Sequence, residues 1–440
     1  MKNRFIIFLL ISSIYVAPAI QGQEIGDSLL QQANLNNCVQ YALAHQPVIQ
    51  QSLLDEAITE RTIRSMLADW FPQVNLEYNF QRNFLLPTSV FQGSAIKLGV
   101  NNTSAAQFSI NQTLFNRDVL LASRSAKDLR SRAKQNTTEN KIALVVSVSK
   151  AFYDVLLTQK QIEGLGQDIQ LLQRSLKDAQ NQYRSGLVDK TDYKRATISL
   201  NNANAQQHQD EELLKAKLAS LKELMGYPDQ ADLRLEYDSV KMEDEALLDT
   251  ALRINMESRI EFQLLQTQKR LQEANLRYSK WSYIPSLSAF GNYNFNWLNN
   301  DFAKLYQQNY PNAFAGLKLS FPIFQGTKRR QEIRLAELEL KRVDYDLESL
   351  RNAVNMEYAQ AMAMYKSNFA NYQALKENLE LAQDVYNTLQ LQYRAGVKTY
   401  LELMVAQNDL QLSRINYINA LYQVLSSKLD VQKAMGTVVY

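Results

Sequence analysis

Glycine and proline are scarce, 13 and 8 in 440 residues, which argues against a loop-rich enzyme and for long uninterrupted elements. A single cysteine, Cys38, rules out an internal disulfide and a thiolate metal site. It reads as a small apolar residue on the first helix, and it lies too far past the apolar N-terminal segment to be a lipid-bearing first residue. The two histidines, His45 and His208, are far apart and show no ligand spacing. No nucleophile, base or ligand set is clustered, so no catalytic residue, no cofactor and no metal is expected. The formal charge of +3, from 48 basic and 45 acidic residues, leaves no basic surplus for a nucleic-acid partner. Past the N-terminus no run of 18 or more apolar residues occurs. Helical membrane spans are excluded on that count, and any insertion would need β-strands.

What is present begins with Lys2 and Arg4, an apolar run from Phe5 to Val16, and small residues at Ala17, Ala19 and Gly22. About a dozen apolar residues are too few to span a bilayer of about 30 Å and fit the core of a secretory signal peptide, with an uncleaved anchor as the alternative. The mature protein is therefore expected to be exported.

From Leu35 to Ala68 the apolar residues recur at helical spacing, with a kink expected at Pro47. Trp70-Phe71-Pro72 ends this helix. Strict alternation follows, with Val74, Leu76, Tyr78 and Phe80 against Gln73, Asn75, Glu77, Asn79 and Gln81. Such a strand suits a soluble sandwich or an outer-membrane barrel, in which the apolar face meets lipid and the polar face a watery lumen. A polar linker leads to a returning strand from about Ser104 to Phe115. From Asp118 a heptad pattern runs to about Tyr183, roughly 65 residues or about 100 Å of helix. Gly164-Leu165-Gly166 is no phosphate loop, since no strand precedes it and the heptad pattern runs straight through it, and a bend or a close helix contact would account for it. A return helix, capped by Asp189 or Thr191, reaches about Met225, and residues 233–237 suggest a short strand.

The order then repeats. A helix is expected from about Glu245 to Lys280, ending at Tyr283-Ile284-Pro285. Leu287, Ala289, Tyr293, Phe295 and Trp297 alternate with polar residues, and a second strand runs from Ala313 to Phe321. Heptads then continue through Tyr365, Tyr372, Tyr386 and Tyr393. Gln182-Tyr183-Arg184-Ser185-Gly186 and Gln392-Tyr393-Arg394-Ala395-Gly396 stand about 210 residues apart, and Met225-Gly226 and Met435-Gly436 keep the same register. A glycine at a helix end supplies the left-handed residue that stops it, so each stretch reads as the tip of an antiparallel helical hairpin. The 23 tyrosines, several at coil positions, suit a wet interior or an ordinary core with the phenol at its edge. Four strands cannot close a membrane barrel; two chains would give eight strands and a plugged interior, three would give twelve and room for a pore.

With this order and spacing, from the Trp-Phe-Pro and Tyr-Ile-Pro turns through Phe321-Pro322-Ile323-Phe324 to the paired Tyr-Arg-x-Gly tips, the chain resembles the TolC-type outer-membrane efflux family from about Leu35 to Gly436. The resemblance implies a mixed membrane α and β fold with an internal two-fold repeat: a trimeric 12-stranded outer-membrane β-barrel, four strands per chain, continued by a periplasmic α-helical coiled-coil barrel. It divides the chain into a signal peptide (1–22), N-terminal periplasmic helices (23–71), first β-hairpin (72–116), first long helical hairpin (117–226, tip near 184–192), equatorial segment (227–284), second β-hairpin (285–325) and second long helical hairpin (326–440, tip near 394–402). The implied function is a passive exit duct in the outer membrane. Its implied partners are two further copies of the chain, a periplasmic adaptor protein, an inner-membrane transporter and outer-membrane lipid. The tips carried over from the family are Gly186, Leu187, Val188, Thr191 and Asp192 in the first hairpin and Gly396, Val397, Lys398, Leu401 and Glu402 in the second, with Tyr393 and Lys398 expected to reach Thr191 and Asp192 on the neighbouring coil. Lys398 stands where the family pattern has arginine and Glu402 where it has aspartate, and Val405 leaves no second acidic ring. Read from the residues alone, these charges are also ordinary helix caps. The alternatives are the outer-membrane component of a one-step protein secretion system, and an exported coiled-coil scaffold without a pore.

Overall fold

The computed structural model describes residue 30 and residues 33–91, 93–186, 189–236, 239–250 and 253–440. The expected signal peptide at 1–22 lies outside the described residues, as do Leu187 and Val188 of the first tip. The first half runs α1 (Leu35–His45), α2 (Pro47–Ala68), β1 (Gln73–Arg82), β2 (Thr88–Phe91), β3 (Ser94–Lys97), β4 (Asn102–Phe115), α3 (Arg117–Arg184) and α4 (Lys190–Met225). The second runs α5 (Ser239–Glu245), α6 (Ile260–Lys280), β5 (Ser286–Asn299), β6 (Asn312–Ser320), α7 (Lys328–Arg394) and α8 (Tyr400–Met435).

Four local expectations are corrected. The helix at 35–68 is not kinked at Pro47 but broken before it: Gln46 is extended (ψ 123°) and Pro47 opens a new helix, because proline pushes the residue before it out of the helical region and is tolerated at a first turn. Of the strand expected at 233–237, residues 233–236 form none, with Leu235 making a lone parallel bridge to Ala33, and Tyr237 lies outside the described residues. The helix expected from Glu245 starts only at Ile260, after a 3₁₀ turn at Met256–Ser258. The first polar linker holds a small hairpin, β2–β3, whose two short strands do not alternate cleanly enough to be read.

The other four strands form one antiparallel sheet in the order β1-β4-β5-β6. Register places Leu76 beside Phe108, Phe108 beside Tyr293 and Tyr293 beside Ala313, so one apolar face runs across all four strands. That face is largely uncovered, with Val74, Leu76, Tyr78, Leu317 and Leu319 all at least 60% exposed. The opposite face carries amide ladders, Gln107 to Asn292 at 2.9 Å and Asn294 to Asn312 at 2.6 Å. Over one end of the apolar face folds a 3₁₀ turn, Phe302–Gln307: Leu305 is buried, Tyr306 packs on Trp297, and the Tyr78 and Tyr306 hydroxyls meet at 2.6 Å.

α3 and α7, 68 and 67 residues long, each pair with the shorter return helix that follows. The main core lies where α1, α3, α4, α7 and α8 converge, around Val148, Val155, Leu156, Leu221, Met225, Val424 and Leu425. A stretch of α3 is long and apolar enough to cross a bilayer, contrary to the expectation from unbroken runs. Most of it is buried inside the fold, and it is a core helix. Cys38 is also in this core, where burial pushes its thiol up to about 12, so it stays protonated and unreactive.

Both return helices end on a left-handed glycine, Gly226 (φ +66°) and Gly436 (φ +69°), and each end is held from the start of its own half. The Gln46 amide donates to the carbonyls of Glu223 (3.0 Å) and Leu224 (3.2 Å). At the equivalent place in the second half Arg259, almost wholly buried, donates to the carbonyls of Lys433 (3.2 Å) and Ala434 (2.9 Å) while pairing with Glu261 and Glu357. The Glu223 and Lys433 carbonyls also accept from the Gly226 and Gly436 amides (3.1 and 3.0 Å), and the side chains complete the open last turn of each helix. The backbones approach closely here: a Cβ on Gly436 would stand 2.9 Å from the Ser258 carbonyl oxygen, and one on Gly226 3.0 Å from that of His45.

Gly436→Ala and Gly226→Ala should therefore each lower the unfolding midpoint of the detergent-extracted protein. Gly396→Ala, at φ +74° but in open space, should cost only the roughly 1–2 kcal/mol of a left-handed L-residue. Equal losses at all three positions would remove the close-approach argument.

Candidate entrance at the hairpin tips

At the first tip α3 ends through the Ser185 amide, which donates to the Asn181 carbonyl at 3.0 Å, and Gly186 (φ +74°) turns the chain. Asp189 caps α4, its carboxylate accepting from the Thr191 amide at 3.0 Å. At the second tip Gly396 (φ +74°) donates to the Tyr393 carbonyl, and the Val397 amide reaches back to Gln392 at 2.9 Å. Thr399 and Glu402 then form a reciprocal capping box: the Glu402 amide donates to Thr399 Oγ1 at 3.3 Å, and the Thr399 amide to Glu402 Oε2 at 2.9 Å. The other Glu402 oxygen accepts from Lys398 Nζ at 2.7 Å. Hydrogen bonds from Lys398 first, and then from Thr399, hold the Glu402 carboxyl down at about 2.

Lys398 thus turns to its own helix rather than to Thr191 or Asp192. Tyr393 does cross between hairpins, but to Gln182 of α3, its hydroxyl donating to Oε1 at 2.9 Å. Gln182 was missed as a site residue. The available signal was its place in the repeated Gln-Tyr-Arg-x-Gly stretch. Asp192 lies close enough for its charge to help hold the Tyr393 and Tyr400 phenols above their ordinary range, after burial as the larger cause. Thr191 is exposed. Val397 and Leu401 project as exposed apolar side chains, 71% and 47% accessible.

Above the tip, buried tyrosines line the α7–α8 seam at intervals of seven or fourteen residues: Tyr365, Tyr372, Tyr386, Tyr393 and Tyr400. Tyr365 donates to the Ala246 carbonyl at 2.9 Å, and Tyr386 accepts from Gln390 at 3.0 Å. Tyr400, packed edge-on against Tyr393 at 5.9 Å, is 2% exposed, and its hydroxyl has no protein partner. Its phenol is pushed up to about 12. The tip therefore holds carboxylates, amides and phenols joined by hydrogen bonds within and between the hairpins. Among the described residues no group of three or more His, Cys, Asp or Glu side chains is placed to hold a metal ion.

A sheet with one apolar and one amide-lined face, carried on helical hairpins about 100 Å long, defines a channel protein of the outer membrane. The chain belongs to the outer membrane efflux protein family: the family model matches residues 38–227 and 257–437, one block in each half. It is 24% identical over 390 residues to the outer membrane protein TolC of Vibrio cholerae serotype O1, covering 87% of this chain and 84% of that protein. It is 23% identical over 291 residues to the alkaline protease secretion protein AprF of Pseudomonas aeruginosa, covering 63% of this chain and 59% of that one. The crystal structure of the outer membrane protein VceC from Vibrio cholerae superposes with a TM-score of 0.73 at 14% identity, over 91% of this chain and 96% of the other.

Two outcomes test the tip. Leaving a buried hydroxyl unpaired costs about 1–3 kcal/mol, so Tyr400→Phe should leave tip stability unchanged or raised, whereas Tyr393→Phe should speed amide exchange at residues 180–186 by losing its bond to Gln182. Because the Glu402 carboxyl is depressed, its stabilisation is complete above about pH 4 and is lost as pH falls toward about 2. Exchange in the first turn of α8 should follow that window, and Glu402→Gln should abolish the pH dependence.

Proposed function

We propose that three copies of the chain close a 12-stranded barrel in the outer membrane, and that their helical hairpins form a periplasmic tunnel serving as a passive exit duct. The observation that carries this reading is the sheet: four strands with an uncovered apolar face, an amide-lined face and two free edges, since β1 pairs only with β4 and β6 only with β5 among the described residues. An edge left unpaired in hydrocarbon is not tolerated, and pairing β1 of one copy with β6 of the next removes both. Eight strands would leave a filled interior; twelve leave a lumen. Segments 72–116 and 285–325 then supply the barrel, 117–226 and 326–440 the tunnel, 23–71 the N-terminal periplasmic helices and 227–284 the equatorial segment.

In this reading the tips form the periplasmic entrance. Gly186 and Gly396 turn the chain, Thr191, Asp192, Tyr393, Lys398 and Glu402 hold it shut, and the apolar Val397 and Leu401 meet a periplasmic adaptor protein that links the duct to an inner-membrane transporter. Leu187 and Val188 complete the first tip by sequence. As a passive duct lined with Asn, Gln and Ser, the chain need not recognise a particular cargo. The similarity to AprF supports a second reading with the same architecture, the outer-membrane component of a one-step protein secretion system. The inner-membrane partner separates the two.

The extracted protein should run as a trimer by mass and give small, mostly closed currents in a planar bilayer. Lys398→Glu, which sets two carboxylates one helical turn apart, should raise the conductance severalfold. A water-soluble monomer that never inserts would overturn the reading.

A further inference from the structure

Gly164 and Gly166 sit in mid-helix, where glycine is unfavourable, and only one of them has a reason in the fold. A Cβ on Gly164 would stand 2.9 Å from Cδ of Arg414 on α8, whereas one on Gly166 would meet nothing within 4 Å. The missing side chain opens a slot across α3 in which the Arg414 stem lies. At its end Nη1 donates to the Gly164 carbonyl at 3.2 Å and to Asp168 Oδ1 at 2.6 Å. Both charged side chains are largely buried, 18% and 6% exposed.

Other polar contacts join α3 to α8 or its hairpin partner α7, but they differ in kind. Above the slot Gln161 meets Asn419 at 3.0 Å on the surface, and Lys150 meets Asp430 at 2.6 Å half-exposed. Below it lies the neutral bond from Tyr393 to Gln182. A neutral hydrogen bond at a wet end breaks easily, while separating a buried pair strands two charges away from water. From Gly186 up to Asp168 is 18 residues, about 27 Å or five turns of helix.

We propose that Arg414, seated in the Gly164 slot and paired with Asp168, is the fulcrum of the entrance: the two hairpins part below it and stay joined above it. This rests on the reading of the tips as an entrance. Arg414 and Gly164 are positioning residues, setting how far up the tunnel an opening travels.

The test uses helix propensity against the clamp. Propensity alone makes Gly164→Ala and Gly166→Ala equally stabilising for α3. The clamp makes them opposite, because the new methyl at 164 expels Arg414. In the full-length detergent-extracted protein carrying Tyr393→Phe, hydrogen exchange should accelerate at 169–186 and 400–413 and stay slow at 155–163 and 415–425. Adding Gly164→Ala or Arg414→Gln should spread the acceleration at least tenfold into those upper segments; Gly166→Ala should not, and Arg414→Lys should restore part of the protection. Similar behaviour of the two glycine variants, or acceleration at 155–163 and 415–425 with the clamp intact, would overturn the proposal. Single-channel conductance measured on the same samples keeps the two readings apart. Absence of current in every variant counts against the entrance, while the exchange pattern still decides whether the clamp exists.

Discussion

A backbone amide or carbonyl left unpaired in hydrocarbon costs several kcal/mol, and this architecture turns on where such groups remain. Within the eight helices the main chain satisfies itself, except at the ends. The caps at Asn34, Asn116, Asp189 and Thr399, and the glycines after α4 and α8, deal with those ends locally. Among the described residues, β1 and β6 each keep a row of open groups along one edge of the four-stranded sheet. In the proposed assembly the two open edges beside the uncovered apolar face are completed by strands of further copies of the chain.

The two halves solve one mechanical problem with different chemistry. Where α4 returns, an uncharged amide from Gln46 closes the helix end. Where α8 returns, a buried guanidinium does so and brings two carboxylates with it. The glycine, the close approach and the direction of donation are retained, so the backbone geometry constrains the site more than the side chain that serves it. Near the same level residues 242–246 gather Tyr153 from α3, Tyr365 and Lys376 from α7 and Tyr417 from α8. An irregular connector that gives little sequence signal thus ties both hairpins together.

Most of the repeating plan was legible because its signals are local. The heptads of α3 and α7, the alternation in β1, β4, β5 and β6, and the glycine stops at 186 and 396 all depend on residues within one or two turns of one another. What escaped depends on distant partners. Nothing near Gly164 announces that Arg414, 250 residues later, lies across it. The pairing of Tyr393 with Gln182 instead of Thr191 and Asp192 follows from how two hairpins lean together. Position 46 could have been read better, because the restriction a proline places on the residue before it is local; the long apolar periodicity on either side concealed the break. The connector before α6 docks through the Glu243 and Glu245 carboxylates and the Ala246 carbonyl, so propensity yielded to tertiary contact.

The pairing of β4 with β5 has a consequence for how the chain reaches its final form. Neighbouring residues in that ladder, Asn102 and Asn299, are 197 positions apart in sequence, with the whole first helical hairpin between them. β1 and β4 are therefore made, and expose their oily face, long before the strand that must lie beside them exists. Contacts of such long range form late. The helical hairpins, whose contacts are mainly between consecutive segments, fold first and bring the two β-hairpins to the same end of the molecule. Judged by contact range, the helical hairpins serve as the template on which the four-stranded sheet is assembled.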